Sequence, residues 1–373
     1  MADRMPVILD VDTGIDDALA LLYACASPDL ELVAVTCVAG NVPASQVAEN
    51  TLALLELVGR GDVPVALGAV RPLVKPLVTT EETHGPRGIG HARLPAPTRA
   101  LVPGHAADLI ADAARRRPGE VQLVTLGPMT NLALALKREL RLPSLLRGWT
   151  FMGGAFRVPG NTTPTAEWNL HVDPDAAKAC LAAWGAALAA DPTIPLPVGM
   201  GLDVTERARL LSSDVARLAH RAGAAEPDAD ALVVGGDARA TNDRARLSGP
   251  HAMAAVGSVA ANPVLHFVVD SLRFYFEFHE RNDGFYGAFV HDPFALAATL
   301  DQSLITTEPV FVDVEAGPGL AHGMAVADWR GNTGRAANVD VAIAGNAQAF
   351  LDLLVERVGA LASTGDRRPG SIH

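Results

Sequence analysis

Apolar residues along the chain gather into short runs that alternate with segments of helical spacing. "PVILD", from Pro6, is an apolar run closed by an acid and predicts a buried strand, after which "DDALALLYACA" repeats its apolar positions at helical intervals. "LELVAVTCVAG" and "SQVAENTLALLELVG" repeat the strand and helix pattern. It resumes with a helix near His105 to Arg116, a strand over Val121 to Leu126, a helix through "TNLALAL", the strand "WTFMGG" and a helix from Pro174 to Trp184. This order implies an α/β fold: an open, mainly parallel, Rossmann-like sheet with helices on both faces, whose ligands sit beyond the C-terminal strand ends. The amphipathic segment "VLHFVVDSLRFYFEFHERN" predicts a long helix whose aromatics serve the core and, where exposed, a subunit contact. The C-terminal part returns to strands in "PVFVDVE", "GMAVADW" and "NVDVAIA" and to a helix in "AQAFLDLLVERV". Two stretches break the pattern, Leu73 to Pro103 and Ala222 to Asn262. Both read as inserted loops in a single domain over residues 1–373.

Composition narrows the possible partners. The 373 residues are 49% hydrophobic and 19% charged, enough for one large core or two modest ones. A net charge of -12 repels phosphate backbones, so neither nucleic acid nor an anionic membrane is an expected partner. No apolar stretch approaches the ~20 residues of a spanning helix, and "MADRMPVILDVD" lacks the apolar core of a secretory signal. A cytoplasmic location is the expectation. Cys25, Cys37 and Cys180 lack metal or redox spacing and read as buried thiols.

The densest chemistry lies in "ILDVDTGIDD", where Asp10, Asp12, Asp16 and Asp17 fall within eight residues. Strand geometry puts Asp10 and Asp12 on one side, Gly14 permits a sharp turn, and Asp16 and Asp17 open the helix. A helix N-terminus accounts for one or two acids there. Four converging carboxylates call for a hard divalent cation, Ca²⁺ or Mg²⁺, to remove their repulsion. Asp10-Val11-Asp12-Thr13 also resembles the DxDxT pattern of Mg²⁺-dependent haloacid-dehalogenase-like phosphatases, with Asp10 as nucleophile and Lys137 or Lys178 as the later lysine. Asp16 and Asp17 are superfluous in that scheme.

Four further polar stations follow or precede strand and helix ends: Asn41 after "VAG", "LGPMTNLALAL", "GNTTPTAEWNLHVDP" with Asn161, Glu167 and Asn169, and "AFVHDPFALAA" with His291 and Asp292. Singly, each fits a turn or a cap. Together with the DxDxGxDD start they resemble the nucleoside hydrolases, the inosine-uridine-preferring N-ribohydrolases, over nearly the whole chain. The resemblance implies an open α/β fold holding Ca²⁺ through Asp12, Asp17, the backbone carbonyl of Leu126 and Asp292. It implies hydrolysis of the N-glycosidic bond of ribonucleosides, with Asp12 taking the proton of a metal-bound water and His291 protonating the leaving base. Asp16 would then accept from the 2′-hydroxyl, Asn41 and Asn169 approach the ribose, and Asn161 and Glu167 approach its 3′/5′ side. His84 would close over the base, with Trp168, where relatives usually carry phenylalanine, as an apolar wall. A ribonucleoside is the implied substrate and a homodimer or homotetramer the implied assembly. Base preference, and the roles of Asp10, His279, Asn282, Asp283 and Tyr286, stay open, as does a non-catalytic nucleoside- or ribose-binding protein that kept the metal site.

Overall fold

The computed structural model describes residues 4–224 and 262–365. Its centre is an eight-stranded sheet in the order β3-β2-β1-β4-β5-β6-β12-β9. These strands are β1 (Met5–Val11), β2 (Leu30–Cys37), β3 (Val65–Leu67), β4 (Gln122–Thr125), β5 (Gly148–Met152), β6 (Val198–Met200), β9 (Ile305–Val310) and β12 (Val339–Gly345). All neighbours pair in parallel except β9, which runs antiparallel to β12 at one edge. Two small antiparallel ribbons stand apart: β7 (Arg209–Leu211) with β8 (Gly287–Phe289), and β10 (Val312–Val314) with β11 (Ala325–Ala327).

Side-chain alternation along β1 divides the interior into two cores. Val7, Leu9 and Val11 join one apolar cluster, with helices Ile15–Ala26, Pro263–Asp283, His291–Leu300 and Ala347–Gly365. Ile8 points the other way, into a second cluster built on helices Ala106–Arg116, Thr130–Arg138 and Pro174–Ala190. Helices therefore cover both faces, as the α/β reading expects. Strand order reverses at β1: β2 and β3 extend the sheet to one side, and the chain then returns to lay β4 on the other. Such a switch point opens a crevice beyond the strand C-termini, and the aspartate-rich turn after β1 lies there.

Several expectations need correction. "PVFVDVE" is not one strand: β9 ends at Val310, and β10 leaves the main sheet to pair with β11. Short elements such as β3, β6 and helices Leu202–Thr205 and Ser212–Arg221 gave no clear periodicity because three to ten residues hold too few repeats. The 73–103 stretch has little regular structure beyond helix Glu81–His84, yet it is anchored. Thr80 N–H donates to Asn41 O at 3.0 Å, and Asn50 Nδ2 donates to Arg87 O at 2.7 Å. Within the other inserted stretch, 222–262, residues 225–261 lie outside the described residues. The aromatic helix Pro263–Asp283 turns its rings inward: Phe267, Tyr275 and Phe276 are buried, and Phe274 and Phe278 are half-buried. It thus offers none of the exposed aromatics expected of a subunit contact. Cys37 and Cys180 are buried free thiols, while Cys25 is only partly covered.

Candidate active site

One cavity of about 530 Å³ opens beyond the C-terminal ends of β1 and β4. Asp12, Asp16, Asn41, His84, Leu126, Asn161, Glu167, Trp168, Asn169, His291 and Asp292 all line it. Asp17 lies beneath, fully buried, and oxygens of Asp16, Asp17 and Asp292 fall within 4.8 Å of one another. The structure thus gathers in one place residues up to 280 positions apart in sequence (Asp12 and Asp292), which expected site residues require.

The turn after β1 is organised by its own carboxylates. Asp17 accepts N–H bonds from Asp12 at 3.1 Å and Gly14 at 2.9 Å and a side-chain bond from Asn41 Nδ2 at 3.2 Å, folding the strand end back onto the helix start. Asp12 Oδ2 accepts the Asn41 N–H at 2.8 Å, which joins the ends of β1 and β2. Its carboxylate is packed between Gly40 and Gly127, and a Cβ at Gly127 would stand 2.6 Å from Asp12 Oδ1. Gly127→Ala is therefore expected to displace that carboxylate and lower kcat/KM about 10- to 100-fold with the fold retained, read by steady-state kinetics beside circular dichroism. Unchanged kinetics would show that the Asp12 position is not critical.

Asp10 has a different position from its three companions. It sits in register between Thr36 of β2 and Thr125 of β4, fully buried and outside the cavity lining. Its Oδ1 accepts from Thr36 Oγ1 at 2.5 Å and Asn131 Nδ2 at 2.8 Å, and Asn131 also bonds Cys37 O and Ala69 N–H. Asp10 and Asn131 thereby tie together the ends of β1, β2 and β3. A nucleophilic Asp10, which the phosphatase reading needs, would have to reach substrate from inside the sheet.

The remaining stations arrange the walls. Asn169 Nδ2 donates to Leu126 O at 2.6 Å and Met152 O at 3.2 Å, fixing the loop after β4 against the end of β5. Glu167 caps helix Trp168–Val172: Oε1 accepts from Asn169 N–H, and Oε2 from Gly154 and Leu170 N–H. Asn161 is exposed at the rim and accepts the Trp168 N–H at 3.1 Å, while Trp168 is half-buried with its indole Nε1 unpartnered. His84 Nδ1 accepts the Ile15 N–H at 3.1 Å, so its neutral ring carries the proton on Nε2. His291 Nδ1 lies 2.8 Å from Thr205 Oγ1, whose hydroxyl donates to Gly201 O, leaving Nε2 as the ring nitrogen available to a ligand.

Of the residues whose roles the sequence left open, His279, Asn282 and Asp283 line the cavity, whereas Tyr286 packs edge-on against Phe276 behind it. Glu206, Tyr275, Phe278 and Phe289 also line it and were not singled out from sequence. Tyr275 and Phe278 lie within the aromatic-rich helix, so that enrichment was the available signal, whereas Glu206, just after the short helix Leu202–Thr205 beside β6, had none.

Electrostatics suit a cation. Burial, then neighbouring carboxylates, push Asp12 and Asp292 well above the ordinary 3.8, and push Asp16 to about 8. Burial raises Asp17 as well, and Asp10 to about 7. Among the described residues no Lys or Arg lines the cavity to offset them. Buried oxygens this close, with no positive partner among the described residues, match the donor set of a hard divalent ion. Burial holds His84 and His291 down to about 3, so both rings are neutral in this state.

The comparisons with known proteins agree with this geometry. The chain matches the profile of the inosine-uridine preferring nucleoside hydrolases over residues 7–352. It is 34% identical over 356 residues to a pyrimidine-specific ribonucleoside hydrolase RihA from Salmonella paratyphi B, covering 95% of this chain and 98% of that one. The RihA of Citrobacter koseri is 35% identical over 96% and 99% of the two chains. Among solved structures, a purine-preferring ribonucleoside hydrolase from Gardnerella vaginalis superposes with a TM-score of 0.79 at 26% identity, covering 96% of this chain and 99% of that one. A plant nucleoside hydrolase gives the same score, identity and coverage. With a family profile matched over nearly its whole length and relatives above 30% identity, the chain belongs to the inosine-uridine preferring nucleoside hydrolase family, enzymes that hydrolyse ribonucleosides.

Proposed function

We propose that the protein cleaves the N-glycosidic bond of ribonucleosides to free base and ribose in a Ca²⁺-dependent reaction. The observation that carries this reading is one cavity at the strand switch point where buried aspartates, the amides of Asn41 and Asn169 and two neutral histidines converge, with no lysine or arginine among the described lining residues. Asp12, Asp17, the Leu126 carbonyl and Asp292 are the proposed ligands, with Asp16 close enough to Asp17 and Asp292 to join them. The Leu126 carbonyl already accepts from Asn169, so a second lone pair would serve the ion. Ca²⁺ fits better than Mg²⁺ because it accepts up to eight oxygens in a flexible shell. When bound, such an ion lowers the pKa of water and anchors sugar hydroxyls.

The chain's own residues then share three tasks around an oxocarbenium-like state at C1′. Asp12, held by the Asn41 N–H, takes the proton of the attacking water. Asp16 accepts from the 2′-hydroxyl, and Asn41 and Asn169 hold the ribose, the latter through an Oδ1 that its own Nδ2 contacts leave uncommitted. Asn161 and Glu167 bound the 3′/5′ side, with Trp168 beside them. His291 faces the departing base through Nε2, which is bare in the free site because Nδ1–H donates to Thr205 Oγ1, so it would protonate the base only after taking up a proton from solvent on Nε2. His84 covers the same end.

Incubation with inosine, uridine, cytidine and adenosine, following ribose as reducing sugar with and without EDTA, tests this reading. Ribose is expected from at least one, and EDTA is expected to suppress it. Binding without ribose release from any of the four would favour a nucleoside-binding protein. Uridine 5′-monophosphate is expected to react with a kcat/KM at least about tenfold below that of uridine, because no basic side chain among the described residues lines the cavity to meet a phosphate. Preferential release of inorganic phosphate from it would instead restore the phosphatase reading.

A further inference from the structure

The sheet opens a second time at its opposite edge. A cavity of about 300 Å³ lies at the N-terminal ends of β1, β4, β5 and β6, bounded by Thr299 and Leu300 at the end of helix His291–Leu300. It shares no lining residue with the 530 Å³ cavity. The two stand at opposite ends of that helix, whose first residues are His291 and Asp292. Its volume falls at the small end of the roughly 300–1,000 Å³ that ligand pockets span.

The inner wall is polar where an apolar core would serve the fold. Gln122 pairs in register with Val7, and Thr150 with Val124 and Val198, so both point to the sheet face whose valines pack into the first apolar cluster. Both are buried. The Gln122 amide is poorly satisfied there: Nε2 makes long contacts, 3.5 Å to Leu123 O and 3.4 Å to Thr150 Oγ1, and Oε1 accepts nothing among the described residues. Thr150 is the acceptor in its contact, which leaves its hydroxyl proton to give. Arg147, exposed and one residue before Gly148, brings a guanidinium to the lining. It makes no ion pair among the described residues, and no acid among them lines the cavity. Asp301, between the lining residues Leu300 and Gln302, spends Oδ1 on the N–H and hydroxyl of Ser303.

An unpaired guanidinium over a cavity without acids calls for an anion, and its planar fork fits one carboxylate through two parallel N–H bonds. A phosphate dianion would meet a single cation there, on a chain of net charge -12. The buried amide head offers a donor and an acceptor side by side, and its complement is another amide, N–H beside C=O. We propose that this cavity binds a small monocarboxylate bearing an amide or lactam edge, with the carboxylate on Arg147 and the amide edge on Gln122 and Thr150. The site stands apart from the hydrolase chemistry and does not depend on it.

The test titrates the full chain with L-5-oxoproline, a lactam carboxylate, by calorimetry and ligand-observed NMR. Two controls keep the five-membered ring: 2-pyrrolidinone lacks the carboxylate, and cyclopentanecarboxylate lacks the lactam. L-5-oxoproline is expected to bind at least about tenfold more tightly than either control. Arg147→Met, at an exposed position, is expected to cost about tenfold of that affinity with an unchanged circular dichroism spectrum. Gly148→Ala would place a Cβ 2.9 Å from Gln122 Oε1, so it is expected to weaken L-5-oxoproline and leave cyclopentanecarboxylate unchanged. Absence of binding at about 10 mM, equal binding of all three compounds, or an affinity untouched by both substitutions overturns the proposal. Binding that EDTA abolishes and Arg147→Met does not alter would belong to the aspartate cavity, and overturns it as well.

Discussion

Asp12→Asn is expected to lower ribose release from a good nucleoside substrate on the order of 1000-fold, mostly in kcat, while the protein stays folded. Asparagine keeps an oxygen where Asp12 Oδ2 accepts the Asn41 N–H, so the joint between β1 and β2 survives. It also adds no volume between Gly40 and Gly127, which leave room for little else. Lost are the proton acceptor for the attacking water and one negative charge beside Asp16 and Asp17. Since those charges repel, the variant should melt no lower than the parent when metal is withheld. Kinetics with saturating Ca²⁺ beside thermal melts separate these effects. If the variant keeps more than a tenth of parental kcat, the base is some other residue.

The architecture was readable because its long elements carry strong periodicity and alternate as parallel sheets demand. β1, β2, β4 and β5 and the helices between them lie close to where the apolar runs placed them. Strand order was not readable, because nothing local in "VQLVTL" says that β4 returns to the far side of β1. That return makes the crevice, and it explains why separate turns after β1, β2, β4 and β5 converge on one cavity.

The candidate site was legible to different depths. Four aspartates in eight residues demanded a cation, and all four are buried, with Asp12 and Asp16 lining a cavity that has no lysine or arginine among the described lining residues. Their division of labour was less visible, since strand alternation puts Asp10 and Asp12 on one side and cannot tell that Asp10 lies inside the sheet. Only the register with Thr36 and the reach of Asn131 separate a strand tie from a site carboxylate. Thr205 ends a four-residue helix beside β6 and Glu206 follows it, and they meet the site because helix His291–Leu300 packs there. His279 and Asp283 stood out only as polar residues near the end of the aromatic helix, and their pairing one helical turn apart emerges from the structure.

Removing the metal is expected to lower the melting temperature by an amount that grows with pH. In the metal-free fold Asp16 stands at about 8 and Asp10 at about 7, against 3.8 for an ordinary aspartate. A carboxyl raised in this way binds its proton more tightly folded than unfolded. Its contribution to stability is complete below about pH 4 and is lost as pH rises through 7 to 8. A divalent ion reverses that sign at the site, because it binds the deprotonated carboxylates and its affinity rises as protons leave. Melting curves with excess Ca²⁺ and with EDTA should therefore separate little near pH 5 and widely near pH 8, with the EDTA curve falling as pH rises. Mg²⁺ at the same concentration should close less of the gap, since four buried carboxylates and a carbonyl leave too few positions for the waters it retains. A gap of constant size across this range, or a protein that melts higher in EDTA, would mean that the aspartates do not share a cation and that their crowding is neutralised by protons alone.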